Sequence, residues 1–237
     1  GKETGDTVHG MKFTLSAAWA KDGSGFYYSR YPDVAADAKY QALNENHKIY
    51  FHKLATPDSA DTLVFETPDH PKWSHYAQVT DDGRWMVITT SEGTDDRYQI
   101  TLIDLQDPAR KPRVIVPGLE NSWGLAGNVG TKFYWVTNKG APKLKIVTMD
   151  VAAANPATTD LVPEDAATLE GAAIVGGTLV ASYLVDAKTE VRRYKLDGGA
   201  IGPVKLPGVG TASGFGGEPD DPETFYAYTS FNEPTTI

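Results

Sequence analysis

Five strands follow turn sequences along this chain. They start at Phe26, Trp85, Phe133, Leu179 and Phe225, at intervals of 59, 48, 46 and 46 residues. A unit that returns every roughly 40–50 residues cannot bury its own apolar faces and has to stack on its neighbours. The best-marked unit lies at residues 79–90. Asp81-Asp82-Gly83 separates two apolar runs, and Asp-Gly supplies the φ > 0 positions of a tight hairpin. The outgoing run from Trp85 to Thr90 is aromatic and β-branched, which suits a pleated, half-buried surface.

Four strands can be read in each unit. The first has residues 13–17, 26–31, 48–54 and 62–66. A polar insertion at 32–46 reads as a loop with a helical turn and accounts for the long first interval. The second contains the Asp-Gly hairpin, then residues 98–105 and 113–116. The third has 123–129, a turn at Gly130-Thr131, then 133–137, 145–150 and 160–162. The fourth has 169–175, a Gly176-Gly177 hairpin turn, then 179–185, 191–196 and 204–206. A fifth begins at Gly208, turns at Pro222-Glu223 and runs 225–230. The expected fold is all-β: a β-propeller of four-stranded antiparallel blades at 10–68, 69–117, 118–163, 164–207 and 208–237, the last one partial. About four and a half blades leave raw sheet edges. The expectation is therefore a single propeller portion of a longer chain, one that does not fold well alone.

Composition narrows the partners. There are 22 basic and 31 acidic residues, a net charge of -9, with no basic cluster to neutralise phosphates, so nucleic acid is not an expected partner. No stretch reaches the ~20 apolar residues of a membrane helix, and no signal peptide is visible. With no cysteine, disulfides, thiolate nucleophiles and cysteine-ligated zinc are excluded. The compartment stays open between cytoplasm and periplasm.

Few residues suggest chemistry. None of the ten serines sits in the Gly-x-Ser-x-Gly frame of a hydrolase nucleophile. Ser213 is one place out of register and reads as a loop serine. His47 and His52, like His70 and His75, are five apart, a spacing that aligns ligands on neither a helix face nor a strand face. With His9 they suggest no metal site. His52 reads as a blade-face residue, and only His75, beside the hairpin, is a candidate. Asp81-Asp82 and Asp95-Asp96 lack the Asp-x-Asp-x-Asp-Gly spacing of a calcium loop. Gly214-Phe215-Gly216-Gly217 opens no helix, so no phosphate cradle is expected. No cofactor is expected either.

Several stretches together carry a resemblance. They are Trp19-Ala20-Lys21-Asp22-Gly23-Ser24-Gly25-Phe26-Tyr27-Tyr28-Ser29-Arg30-Tyr31-Pro32, His47-Lys48-Ile49-Tyr50-Phe51-His52-Lys53-Leu54, Pro68-Asp69-His70-Pro71-Lys72-Trp73, Val79-Thr80-Asp81-Asp82-Gly83-Arg84 and Ser91-Glu92-Gly93-Thr94-Asp95, with Phe225-Tyr226-Ala227-Tyr228-Thr229-Ser230-Phe231 near the end. In this order they resemble the propeller of the prolyl oligopeptidases, serine peptidases of the prolyl endopeptidase type. The resemblance implies a seven-bladed propeller capping an α/β-hydrolase domain. That domain carries a Ser-Asp-His triad and cleaves short peptides after proline, while the propeller restricts access. It implies that this chain holds later blades only, lacks the hydrolase domain and contributes no catalytic residue. By the same resemblance, Ser74, directly after Pro-Lys-Trp, and Thr94, directly after Glu-Gly, face the substrate cavity. The insertion at 31–46 matches a mobile loop near the entrance.

The resulting expectation is the gating propeller of a monomeric prolyl endopeptidase. Its partners are short proline-containing peptides and its own hydrolase domain, and the segment by itself is inactive. Ser74, Thr94 and His75 are the substrate-cavity candidates. The alternative is a propeller that binds a ligand or protein without enzymatic activity.

Overall fold

The computed structural model describes residues 5–13, 17–33 and 42–237. The chain divides into two compact units, Gly1–Glu120 and Asn121–Ile237. Among the described residues the regular structure is β-strand, apart from one 3₁₀ turn at Asp58–Ala60. Among the described residues no helix is long and apolar enough to cross a membrane.

In the first unit, β1 (Ala18–Trp19), β2 (Gly25–Arg30), β3 (Lys48–Lys53) and β4 (Thr62–Phe65) form one antiparallel sheet in chain order. The next four, β5 (Trp73–Val79), β6 (Trp85–Glu92), β7 (Gln99–Asp104) and β8 (Arg113–Val116), form a second. The second unit repeats this twice. Its third sheet is β9 (Trp123–Val129), β10 (Lys132–Thr137), β11 (Lys145–Asp150) and β12 (Thr158–Val162). The fourth is β13 (Thr168–Val175), β14 (Thr178–Val185), β15 (Lys188–Tyr194) and β16 (Ala200–Pro203). A fifth sheet has only β17 (Thr211–Ser213) and β18 (Ala227–Thr229).

Strand alternation sends side chains to both faces of each sheet, and within each unit facing sheets pack on one another. Between the first two sheets, Tyr27 and Ile49 meet Met86, Ile88 and Ile103. Between the third and fourth, Tyr134, Val136 and Ile146 meet Leu169, Leu179, Ala181 and Tyr183. The other face of β14 and β15, through Val180 and Val191, meets Ala212, Phe215 and Tyr228 of the fifth sheet.

The structure departs from the sequence reading in several places. Residues 14–16 and 34–41 lie outside the described residues, and with them most of the strand expected at 13–17 and of the turn expected in the insertion. The first edge strand is the two-residue β1, and Trp19, which lies between the strands expected at 13–17 and 26–31, is paired to Phe26. Ser213 ends β17, opposite Ala227, instead of lying in a loop. The fifth sheet's strands are joined by a long segment rich in glycine, because Pro219 and Pro222 supply no ladder donors.

The Asp-Gly hairpin is also wider than a two-residue turn. Only Gly83 has positive φ, at 71°. The Thr80 hydroxyl donates to Asp82 (2.6 Å) and accepts the Trp85 N–H (3.0 Å). The Thr80 N–H donates to the Trp85 carbonyl (2.9 Å). Side-chain bonds from Thr80 and Asp82 thus hold a four-residue loop and remove the need for a second left-handed position. The two-residue form occurs instead at Gly176-Gly177, with φ of 55° and 67° and Val175 paired to Thr178. A Cβ on Gly176 would come within 2.6 Å of the Asp221 carbonyl oxygen, whereas one on Gly177 meets nothing within 4 Å. Gly177→Ala should therefore cost about 1 kcal/mol of left-handed strain, and Gly176→Ala clearly more. Urea midpoints of the two variants measure the difference.

In all four complete sheets the pairing of third and fourth strands contains a register shift. It falls at Ile49/Tyr50, Ile100/Thr101, Ile146/Val147 and Arg193/Tyr194. The first three follow an isoleucine with 0% exposure, so the bulge sits where the third strand is pinned in the core.

Candidate functional site

The ladder of β5 and β6 brings the expected cavity residues to one end of the second sheet. Trp73 pairs with Glu92, Ser74 with Ser91 and His75 with Thr90. Ser74 therefore stands at the start of β5 and Thr94 two residues past the end of β6, away from the Asp82-Gly83 turn. Thr94 is exposed. Its loop closes through the Asp95 N–H donating to the Glu92 carbonyl (3.2 Å), with Gly93 at φ 61°. Arg97 grips Asp95 through Nε (2.8 Å) and Nη2. Those bonds hold the Asp95 carboxyl down at about 2, so the loop stays tied across the neutral range.

Ser74 keeps only 8% exposure, and its hydroxyl lies 3.2 Å from the Tyr31 hydroxyl. His75 points to the opposite face of β5 and has no exposed surface. Its Nδ1 lies 2.9 Å from Thr90 Oγ1 and its Nε2 3.0 Å from Thr67 Oγ1. The structure thus puts His75 inside the sheet, with both ring nitrogens engaged. It supports the strand end rather than offering a surface to a ligand.

Two residues that sequence reasoning did not single out complete this end. The His75 N–H donates to His47 Nδ1 (2.9 Å), which places the His47 ring proton on Nε2. Tyr31 stacks on His47 with ring centroids 4.4 Å apart. The Ser29 hydroxyl adds a bond to the His75 carbonyl (2.7 Å). Burial pushes His47 down to about 4. Burial, reinforced by the His47 ring, pushes His75 down to about 3. Both rings are neutral at pH 7, and the cluster fastens β2 and the residue before β3 to the start of β5. The remaining histidines have partners of their own: His9 with Asp58 (2.6 Å), His52 with Asp61 (2.8 Å) and His70 stacked on Trp73 (3.8 Å between centroids). Among the described residues no three His, Asp or Glu side chains group to hold a metal ion.

Four-stranded antiparallel sheets repeated along the chain, each sealed on a neighbour, define a β-propeller protein. A family model for the prolyl oligopeptidase N-terminal beta-propeller domain matches residues 1–237, and the chain belongs to that family. It is 30% identical over its whole length to a prolyl endopeptidase of Elizabethkingia miricola and 31% identical to that of Elizabethkingia meningoseptica. It covers 33% of each, so it spans about a third of the length of these relatives. A solved prolyl endopeptidase superposes on 98% of the chain with a TM-score of 0.89 and 37% identity, and 33% of that chain is covered. Prolyl oligopeptidase B of Galerina marginata, solved with a 35mer hydrolysis and macrocyclization substrate, gives 0.89 at 25% identity, with 98% of this chain and 32% of that one covered. These relatives are prolyl endopeptidases and a prolyl oligopeptidase.

Proposed function

We propose that this chain is the access-controlling propeller portion of a serine endopeptidase that cleaves short peptides after proline. The observation that carries this reading is family membership along all of residues 1–237, joined to the convergence of Ser74 and Thr94 at one end of the second sheet. In this reading the catalytic α/β-hydrolase domain belongs to the same polypeptide outside these residues, and the parent protein is a monomer. The propeller keeps folded proteins out and shelters the reaction from water. Ser74 and Thr94 line the outer substrate pocket, near the side chain two positions before the proline. Ser74 is fixed by Tyr31 and the buried histidines, while Thr94 rides on the Asp95–Arg97 loop.

The test is a Thr94→Phe variant of the full-length parent. Filling the pocket lowers kcat/KM for reporters with a bulky side chain two before the proline by about 10–100-fold, and leaves reporters with glycine there within a few-fold. An equal change for both reporters, or none, overturns the pocket assignment. Residues 1–237 alone hydrolyse neither reporter. Turnover by that segment which survives purification and a serine-directed inhibitor control overturns the gating reading.

A further inference from the structure

At the seam between the first two sheets, away from Ser74 and Thr94, lies a cavity of about 300 Å³. Tyr27, Phe51, Thr62 and Val64 line it from the first sheet; Met86, Ile103 and Leu105 line it from the second. Leu63 also lines it and is 43% exposed. A dry apolar cavity of about 150 Å³ is already enough for a benzene ring. The only charged group in the lining is Arg110, which is exposed.

Arg110 is held in place by its backbone. It adopts the left-handed region, φ 42°, which a residue with a side chain keeps only when its surroundings over-determine it. Its N–H donates to the Asp107 carbonyl (3.0 Å), and the Ala109 N–H donates to Asp107 Oδ1 (2.9 Å). The side chain lies beside the Tyr27 phenol, which burial pushes up and Arg110 pulls the other way. Asp22 feels the same charge but spends an oxygen on the Ser24 N–H (2.9 Å) and forms no ion pair with Arg110. The guanidinium makes a side-chain hydrogen bond with the Tyr27 phenol, and its five donors exceed what that one bond uses. Set beside a mostly apolar cavity, it suits an anion that carries a hydrocarbon chain.

We propose that this cavity binds a free aliphatic carboxylate of medium length, its chain among Phe51, Val64, Met86 and Ile103 and its carboxylate on Arg110. A peptide is the poorer occupant, because Thr62 and Arg110 are the polar partners among mostly hydrophobic lining residues, and a backbone with an amide at every residue would leave more groups without a hydrogen bond than a single carboxylate does. The site is independent of peptide cleavage and of the pocket at Thr94.

Titration calorimetry of the full-length protein with sodium octanoate tests this, with 1-octanol and acetate as comparators. Octanoate binds saturably at one site, and acetate does not bind. Arg110→Gln, on an exposed side chain, weakens octanoate about tenfold and leaves 1-octanol unchanged. Val64→Phe, which fills the cavity, weakens both. The proposal is overturned if octanoate shows no saturable binding, or if variants with unchanged unfolding midpoints bind it like the parent. It is equally overturned if Arg110→Gln weakens octanol as much as octanoate.

Discussion

A Leu179→Ala variant is expected to be less stable than the parent by about 2–5 kcal/mol. Leu179 has 0% exposure and sits in β14 between Ile174 of β13 and Tyr194 of β15. Its side chain belongs to the cluster with Tyr134, Val136 and Ile146 of the third sheet. Truncation removes buried hydrocarbon and leaves a void. The strand cannot shift to close it, because the next residue, Val180, is packed on the other face against Ala212, Phe215 and Tyr228. Leu184→Ala is the matched control. It lies on the same strand but is 44% exposed, so its cost should stay within about 0.5 kcal/mol. Urea unfolding of the two variants in one background measures the contrast. Equal losses would mean that packing between the third and fourth sheets contributes little to stability.

Acidification should weaken the first unit before any carboxylate titrates. His47 and His75 take protons near 6.5 in the unfolded chain, but in the folded chain only at about 4 and about 3. Above pH 6.5 neither state is protonated and stability is complete. As pH falls from 6.5 towards 4, the unfolded chain binds protons that the folded chain refuses, so stability falls. At pH 5 the loss is about 2 kcal/mol per ring, about 4 kcal/mol for the pair. Geometry supports the direction for His47. Its Nδ1 accepts the His75 N–H, and protonation would set two donors against each other. His75→Phe should flatten the loss between pH 7 and pH 5 by about half, even though it also lowers stability at pH 7. Denaturant unfolding at both values separates the two effects. An unchanged slope in His75→Phe would show that the ring is not the acid-sensitive element.

Local chemistry made most of the strands readable. The run from Phe133 to Thr137 and the Gly176-Gly177 turn carry their own aromatic, β-branched and glycine signals, and both appear where those signals stand. The turn after Val79 was readable as a turn but not as a four-residue loop, because its width depends on Thr80 and Asp82 side-chain bonds. The site was less accessible. Tyr31 is 43 residues from Ser74, and His47 is 28 from His75. Their meeting depends on how the first sheet lies on the second, which no periodicity encodes. The spacings within His47/His52 and His70/His75 are silent on this contact, because the two rings that interact come one from each pair. His75 lies beside the hairpin in sequence, but the sheet's alternation turns it inward.

The register shift before each fourth strand bears on how such chains behave in company. A long flat border strand invites a strand from another molecule to lengthen the sheet, which is how ordered aggregates begin. Here β4, β8, β12 and β16 join their sheets through a kink, so an incoming strand would find only short matched runs of donors and acceptors. The same irregularity that lets Ile49, Ile100 and Ile146 stay seated in the interior thus blunts the outer rim against sticking to its own kind.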